Sequence, residues 1–360
     1  MPDRPPSVAE LLVEQLALLR WIQADLANIL GRSVQSVSEL MNGRRSLDVE
    51  DTLDLSAAVG QSADFWLRAQ STHQLWLAES EEMTRDRLAA IAERRSLEMV
   101  LPVRDLIRRG LLPGSGSAEQ RVAACDLLEV DDLDRRPPFP VSARRANDDE
   151  PASRQQLAWI ACARKAVRAH TVGRYDPQEL AELAESLSRS VRTPGDFLEL
   201  PDRYARAGVR LVHVEPFSGG RMDGISTTVD GTPVIALSGR GGRLDKVLFT
   251  LAHETAHVFL GHSERGHLFI SKAGEPVDDR QEMNADALAN AWLMPDVEAL
   301  ATGAITGQRV AAIAELTGVS EAIVIGRLQE IGLIPWNSLL NKRIPSVKEA
   351  VRMWSEKKNA

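Results

Sequence analysis

One amphipathic segment, residues 244–260, constrains the fold of this chain more than any other feature of its sequence. At roughly 100° per residue, three leucines and Val258 fall along one side of a helix, nearly opposite His253 and His257. Such a helix packs through its apolar side and leaves both imidazoles together on the other side. The segment therefore predicts a helix that can offer a metal site.

The two histidines belong to the run His-Glu-Thr-Ala-His at residues 253–257, which has the pattern HExxH. Histidines four residues apart project from the same face of a helix, so both can bind one metal ion. Glu254 stands between them, where it is placed to polarise a metal-bound water rather than to bind the metal. The alternative interpretation is an exposed polar face that carries the pattern by chance.

A third protein ligand is expected elsewhere, because a catalytic zinc ion takes three protein ligands and keeps one position open. The leading candidate is Glu282, on the next predicted helix at about residues 280–294. Asp286 follows on the same face, where it can accept a hydrogen bond from a ligand histidine. A solvated helix face is the alternative for this pair. Two aspartates of the preceding loop offer alternative oxygens: Asp278 and Asp279.

Other histidines lie close to the motif in sequence without matching its geometry. By the same helical angles His262 falls on the apolar side, and Gly261 is predicted to end the helix before it. His262 and His267 are therefore predicted to be loop residues or neighbours of the ligands, not ligands. His213, inside a predicted strand, is interpreted as a packed or surface histidine.

The chain changes from helical to mixed character near residue 208. Residues 208–214 alternate as a strand does, and a hairpin is predicted from residues 223–229 and 233–237, joined by the turn Asp230-Gly231. Two strong helices and several shorter ones follow. The prediction is a mainly α fold of the α+β class, with a small sheet beside the two helices.

The N-terminal block, residues 7–80, is helix-rich, and residues 23–45 carry a helix-turn-helix pattern with Gly31 at the turn. The start of the second helix is predicted to face base edges in the major groove, and side chains around it are predicted to contact phosphates. The predicted DNA-binding residues are Gln23, Arg32, Ser33, Gln35, Ser36, Ser38, Asn42, Arg44 and Arg45.

Charge weighs against strong binding to nucleic acid. The chain has a net charge of -8, and its first 78 residues contain more acidic than basic side chains, whereas a DNA reader is usually basic on its contact face. The alternative is a helix-turn-helix that serves protein contact or dimerisation.

The chain has 2 cysteines and no apolar run of membrane-spanning length, so we expect a cytoplasmic protein with no membrane partner.

The motif region resembles the ImmA/IrrE metallopeptidase family. The similarity rests on residues 251–262, 282–289 and 292–295, and it extends over about residues 155–342. It implies a gluzincin-like zinc peptidase core, in a family whose members cleave, or are thought to cleave, a repressor-type protein. The N-terminal block resembles the lambda-repressor-like (XRE) domains of HigA-type antitoxins.

The first resemblance implies one Zn²⁺ per chain, with His253, His257 and Glu282 as ligands and Glu254 as the catalytic acid/base. In the mechanism that these residues permit, Glu254 takes a proton from a zinc-held water that attacks a peptide carbonyl, and later returns it to the leaving amine. The group that stabilises the oxyanion is not identified by the sequence.

Together these observations predict a transcriptional regulator coupled to a zinc-dependent endopeptidase that cleaves a repressor, a toxin or itself. The alternative is a HigA-like antitoxin or repressor whose peptidase fold binds a partner or ligand without cleaving it. Expected partners are a double-stranded DNA operator, the protein substrate or cognate toxin, and a second copy in a homodimer.

The predicted domains are a helix-turn-helix domain at 1–80, a helical connector with a Pro-rich loop at 81–154, a peptidase domain at 155–342 and a tail at 343–360.

Overall fold

A computed structural model describes residues 4–139, 152–168, 170–262, 280–294, 297–301 and 303–356. The predicted Asp278, Asp279 and His267 lie outside these residues. Within them helices dominate and three strands form one sheet, so the fold is α+β as predicted. None of the helices described is both long and apolar enough to cross a membrane. The chain divides into two compact units, Met1–Arg94 and Arg95–Ala360.

The first unit is a bundle of short helices with capped ends. Its helices are α1 Val8–Leu19, α2 Gln23–Ile29, α3 Val34–Met41, α4 Val49–Val59 and α5 Ala63–Ser80. The Ser33 hydroxyl caps α3 by accepting a hydrogen bond from the Ser36 amide. Gly31 has a φ of 63°, which lets the chain turn between α2 and α3. Leu26, Val37 and Trp66 are buried in the shared core of this bundle.

The second unit contains most of the helices that remain. They are α7 Val103–Arg108, α8 Ser117–Leu128, α9 Arg154–Val167, α10 Pro177–Ser190, α11 Leu200–Arg206, α12 Leu244–Phe259, α13 Arg280–Leu293, α14 Val297–Leu300, α15 Gly307–Thr317, α16 Glu321–Glu330 and α17 Lys348–Glu356. Helix α6, Glu82–Val100, precedes them, and 3-10 turns cover Pro194–Glu199 and Leu339–Arg343. Since α12 and α13 pack side by side, they set the geometry of the site described below.

The sheet consists of β1 Arg210–His213, β2 Gly224–Val229 and β3 Thr232–Leu237, in the order β1-β3-β2. Strands β2 and β3 form the predicted antiparallel hairpin. Both residues of its turn, Asp230 and Gly231, have positive φ, as a two-residue hairpin with the correct twist requires. Strand β1 is parallel to β3. Strand β2 is therefore paired on one side only within the described chain.

Each face of the sheet has its own hydrophobic core, because alternate residues of a strand point to opposite faces. Ile235 and Leu237 pack with the apolar side of α12. Val234 and Ala236 pack on the other face with Trp159 of α9 and with helices of residues 97–139. Part of the predicted connector thus covers one face of the sheet. The predicted domain boundaries themselves stay a prediction.

Candidate metal centre

Helix α12 buries the residues of the HExxH run almost completely. His253 is 4% exposed, and Glu254 and His257 are 0% exposed. The leucines on the opposite side of this helix pack on the sheet, which fixes the rotation of the helix about its axis. The histidines therefore face the neighbouring helix α13 rather than solvent.

Helix α13 brings a carboxylate to the two imidazoles. The Nε2 atoms of His253 and His257 are 3.0 Å apart. Oε2 of Glu282 lies 3.2 Å from Nε2 of His253, and its Oε1 lies 3.3 Å from Nε2 of His257. Among the described residues, these three form a group that could hold a metal ion, with ligand atoms all within 4.8 Å of one another.

The donor set fits zinc in both chemistry and spacing. Two imidazole nitrogens and one carboxylate oxygen form the ligand set of many catalytic zinc sites. With bonds of about 2.0–2.1 Å, donors at tetrahedral positions lie roughly 3.3 Å apart. The separations of 3.0, 3.2 and 3.3 Å between the closest atoms of the three side chains are close to this value.

Hydrogen bonds and charge link the side chains of Glu282, His253 and His257. Burial opposes a charge on His253, but its hydrogen bonds with Asp286 and Glu282 outweigh burial and raise its pKa to about 10. Burial acts to raise the pKa of Glu282, yet hydrogen bonds from the two histidines lower it to about 2. Burial lowers the pKa of His257. A metal ion that binds through Nε2 of His253 would displace the hydrogen that this nitrogen donates to Glu282.

Asp286 lies on the far side of His253 from the cluster. Its Oδ1 is 2.7 Å from Nδ1 of His253. A carboxylate at this position accepts the Nδ1 hydrogen, and Nε2 of the same ring faces Glu282. The contact with Asp286 therefore fixes the orientation of the His253 ring.

Glu254 lies against the edge strand β2, at a glycine. A Cβ atom on Gly224 would lie 3.0 Å from Cγ and 3.1 Å from Oε1 of Glu254, and 2.8 Å from Cγ2 of Thr250. A side chain would therefore push Glu254 or Thr250 aside, and only glycine permits this close approach. Sequence reasoning missed Gly224. The available signal was a glycine at the start of a predicted strand, which often marks a close approach of backbone to another group.

The residues predicted to contact DNA fall into two groups. Gln35, Asn42 and Arg44 are exposed, and Ser36 and Ser38 are half-buried. The side-chain amide of Asn42 also donates to the Ser38 carbonyl at 2.8 Å and to its Oγ at 3.1 Å. The others have partners inside the first unit as well: Ser33 caps α3, the Gln23 side-chain amide donates to the Val34 carbonyl at 3.4 Å, and Arg32 and Arg45 form ion pairs.

Asp51 is the common partner of the two arginines. Its side chain is 1% exposed and accepts hydrogen bonds from Arg32 and Arg45, with the Arg45 contact at 2.8 Å. Asp54 binds Arg32 as well, at 2.6 Å. Burial acts to raise the pKa of Asp51, but hydrogen bonds from Arg45, the Asp48 amide and Arg32 together lower it below its ordinary value. Both guanidinium groups therefore brace the start of α4.

Comparisons with known proteins match two parts of this chain. Residues 206–329 match the peptidase M78 family model, described as the IrrE N-terminal-like domain. A segment of 90 residues is 35% identical to the uncharacterized HTH-type transcriptional regulator YbaQ of Escherichia coli K12, over 25% of this chain and 78% of the relative. YbaQ of E. coli O6:H1 matches equally. A crystal structure of a hypothetical protein from E. coli matches at 32% identity with a TM-score of 0.23, over 24% of this chain and 88% of that one.

A buried HExxH helix that meets a carboxylate from the following helix defines a metallopeptidase-like domain. Residues 206–329 form a domain that matches the M78 peptidase family model, and the similarity to YbaQ places the chain among the HTH-type transcriptional regulators. The predicted union of an ImmA/IrrE-like domain with a helix-turn-helix domain is thereby confirmed.

Proposed function

We propose that this chain is a transcriptional regulator whose second unit is a zinc-dependent endopeptidase acting on a regulatory protein. One observation carries the proposal: His253, His257 and Glu282 converge in a buried cluster, with Glu254 on the same helix beside them. A domain used only for binding would need neither the three-ligand geometry nor the adjacent buried acid.

Each residue has a distinct role in this proposal. His253, His257 and Glu282 would hold the zinc ion, which when bound supplies a Lewis acid that makes a water molecule acidic. Glu254 accepts the proton of the attacking water and returns it to the leaving amine. Asp286 holds His253 in the required tautomer through their 2.7 Å contact.

The edge strand β2 offers a place for the substrate chain. Within the described residues this strand pairs with β3 on one side only, and its first residue, Gly224, lies against Glu254. An extended peptide that adds to a sheet edge is held by backbone hydrogen bonds. The proposed substrate is therefore a protein segment that can become extended, in a repressor, a toxin or the chain itself.

In this proposal the first unit binds a double-stranded DNA operator, and two copies of the chain bind it as a homodimer. Support comes from the similarity to an HTH-type transcriptional regulator and from the exposure of Gln35, Asn42 and Arg44 around α3. With Arg32 and Arg45 bound to Asp51, few cations remain for phosphates, so we expect weak binding.

Zinc stoichiometry tests the proposal directly. Elemental analysis of the full chain, purified without chelators, should give about one zinc per chain, and Glu282→Ala should lose it because one of three ligands is gone. Glu315→Ala is the matched control, since Glu315 is exposed on α15. A wild-type chain that neither contains zinc nor takes it up would refute the proposal. The alternative, an antitoxin-like repressor whose peptidase fold binds a partner without cleaving it, would then be the better description.

A further inference from the structure

We propose that His262 is a positioning residue for the metal centre, because it orients the ligand His257 through a ring-to-ring hydrogen bond. The inference rests on the zinc site of the proposed function. Its basis is one contact: Nδ1 of His262 lies 3.0 Å from Nδ1 of His257, and the ring centroids are 5.1 Å apart.

The two ligand histidines present the same nitrogen to the cluster. Nε2 of His253 and Nε2 of His257 both face Glu282, at 3.2 and 3.3 Å. Each ring therefore turns its Nδ1 away from the cluster, towards a different partner. His253 meets Asp286 at 2.7 Å, and His257 meets His262. Within the described residues each histidine ligand has an orienting contact, the Asp286 carboxylate for His253 and the His262 imidazole for His257.

Two ring nitrogens 3.0 Å apart form a hydrogen bond only when one donates and the other accepts. When His257 binds a metal ion through Nε2, its hydrogen is on Nδ1, so His257 donates. His262 then accepts through its own Nδ1 and carries its hydrogen on Nε2. The contact thus favours the tautomer and the ring orientation of His257 that a metal ion requires.

The end of α12 explains how His262 reaches this position. In a continuous helix a residue five places on lies roughly 140° around the axis, which would put His262 away from His257. The helix ends at Phe259 instead, and Gly261 has a φ of 71°, in the left-handed region. The chain reverses there and brings His262 back beside the last turn.

Zinc affinity is the measurement that tests this role, made on the full chain by competition with a chromophoric chelator. His262→Leu removes the acceptor and should weaken zinc binding by about 10–100-fold, the usual effect of losing a partner of a ligand histidine. His262→Gln keeps an acceptor oxygen and should restore most of the affinity. His213→Gln, in β1, is the matched control and should bind zinc as the wild type does.

Each outcome decides the proposal. Wild-type affinity in His262→Leu would overturn it. An equally large loss in His262→Leu and His262→Gln would also overturn it, because the imidazole would then bind the metal itself. A wild-type chain without zinc affinity would remove the proposed function as well, and this result is seen before any variant is made. Hydrogen exchange over α12 shows whether each variant keeps the native fold.

Discussion

The metal centre and the helix-turn-helix face are both predicted from short-range sequence patterns. In the structure, however, the predicted residues of the two regions have different kinds of partner. In the metal centre the patterned side chains are buried and meet each other, as His253 and His257 do at 3.0 Å. In the first unit the predicted phosphate contacts Arg32 and Arg45 instead meet Asp51, on the following helix. Helical spacing determines which residues share a face, but a cation near the surface binds whichever carboxylate the tertiary fold brings to it.

The largest effect expected from this comparison comes from Glu254→Gln. Loss of the carboxylate removes the proton acceptor but none of the three ligands, so hydrolysis should fall by about 10²–10⁴-fold while zinc remains bound. Cleavage of casein, and of the chain itself, can be followed by mass spectrometry with zinc measured on the same samples. Equal cleavage by the wild type and Glu254→Gln would show that the buried site does not carry the chemistry.

A smaller effect, on stability, is expected from Asp51→Asn in the first unit. This substitution removes the charge that Arg32 and Arg45 share, and the folded unit should lose about 2 kcal/mol. Asp54→Asn is the matched control: its side chain is 45% exposed, and the expected loss is below about 1 kcal/mol. Hydrogen exchange over α4 measures both in the full chain. Equal losses of stability in Asp51→Asn and Asp54→Asn would show that Asp51 is not the main partner of the two arginines.

Asp51 should also make the stability of the first unit depend on pH. Because the pKa of Asp51 is lowered in the folded state, its contribution is fully present above the ordinary carboxyl pKa. It is lost as pH falls below about 4, towards the folded pKa. In Asp51→Asn the profile of α4 exchange against pH, corrected for the intrinsic rate, should be flatter in that range. An unchanged profile would assign the acid sensitivity to other groups.

The smallest expected effect is on DNA binding, and it distinguishes the exposed Arg44 from Arg32, which is paired with Asp51. Arg44→Ala should weaken binding to a mixed-sequence DNA duplex and reduce the slope of log affinity against log salt by about 1, because one phosphate contact is lost. Arg32→Ala should leave that slope unchanged and lower stability instead, since Arg32 binds Asp51 and Asp54. Fluorescence anisotropy over a salt series measures both. A change of slope in Arg32→Ala would mean that DNA displaces the aspartates.

The helices of both units could be predicted closely from local signals. Serine or aspartate caps begin α1, α3 and α4 and apolar periodicity runs through them, so local sequence suffices to predict these helices. The β2–β3 hairpin could be predicted from the turn Asp230-Gly231. The spacing of His253 and His257 predicts that they share a face of α12, and the structure brings the leading candidate, Glu282, to them.

Other features depend on contacts between distant residues and could not be predicted. Parallel pairing of β1 with β3 needs a crossover whose course no local pattern specifies. The ion pair of Arg32 with Asp51 joins residues 19 positions apart. His262 is predicted as a loop residue or a neighbour of the ligands, but its contact with His257 forms beyond the end of α12 at Phe259, where helical angles no longer apply.

The second core of the sheet has a practical consequence for anyone who expresses the peptidase part alone. A fragment that starts at residue 155, the predicted start of the peptidase domain, keeps every proposed ligand. It nevertheless removes Leu106 and its neighbours, which cover Val234 and Ala236. The exposed apolar face would then favour aggregation. The shortest fragment suited to recombinant work therefore begins near residue 95, at the boundary of the compact unit rather than at the predicted start of the peptidase domain.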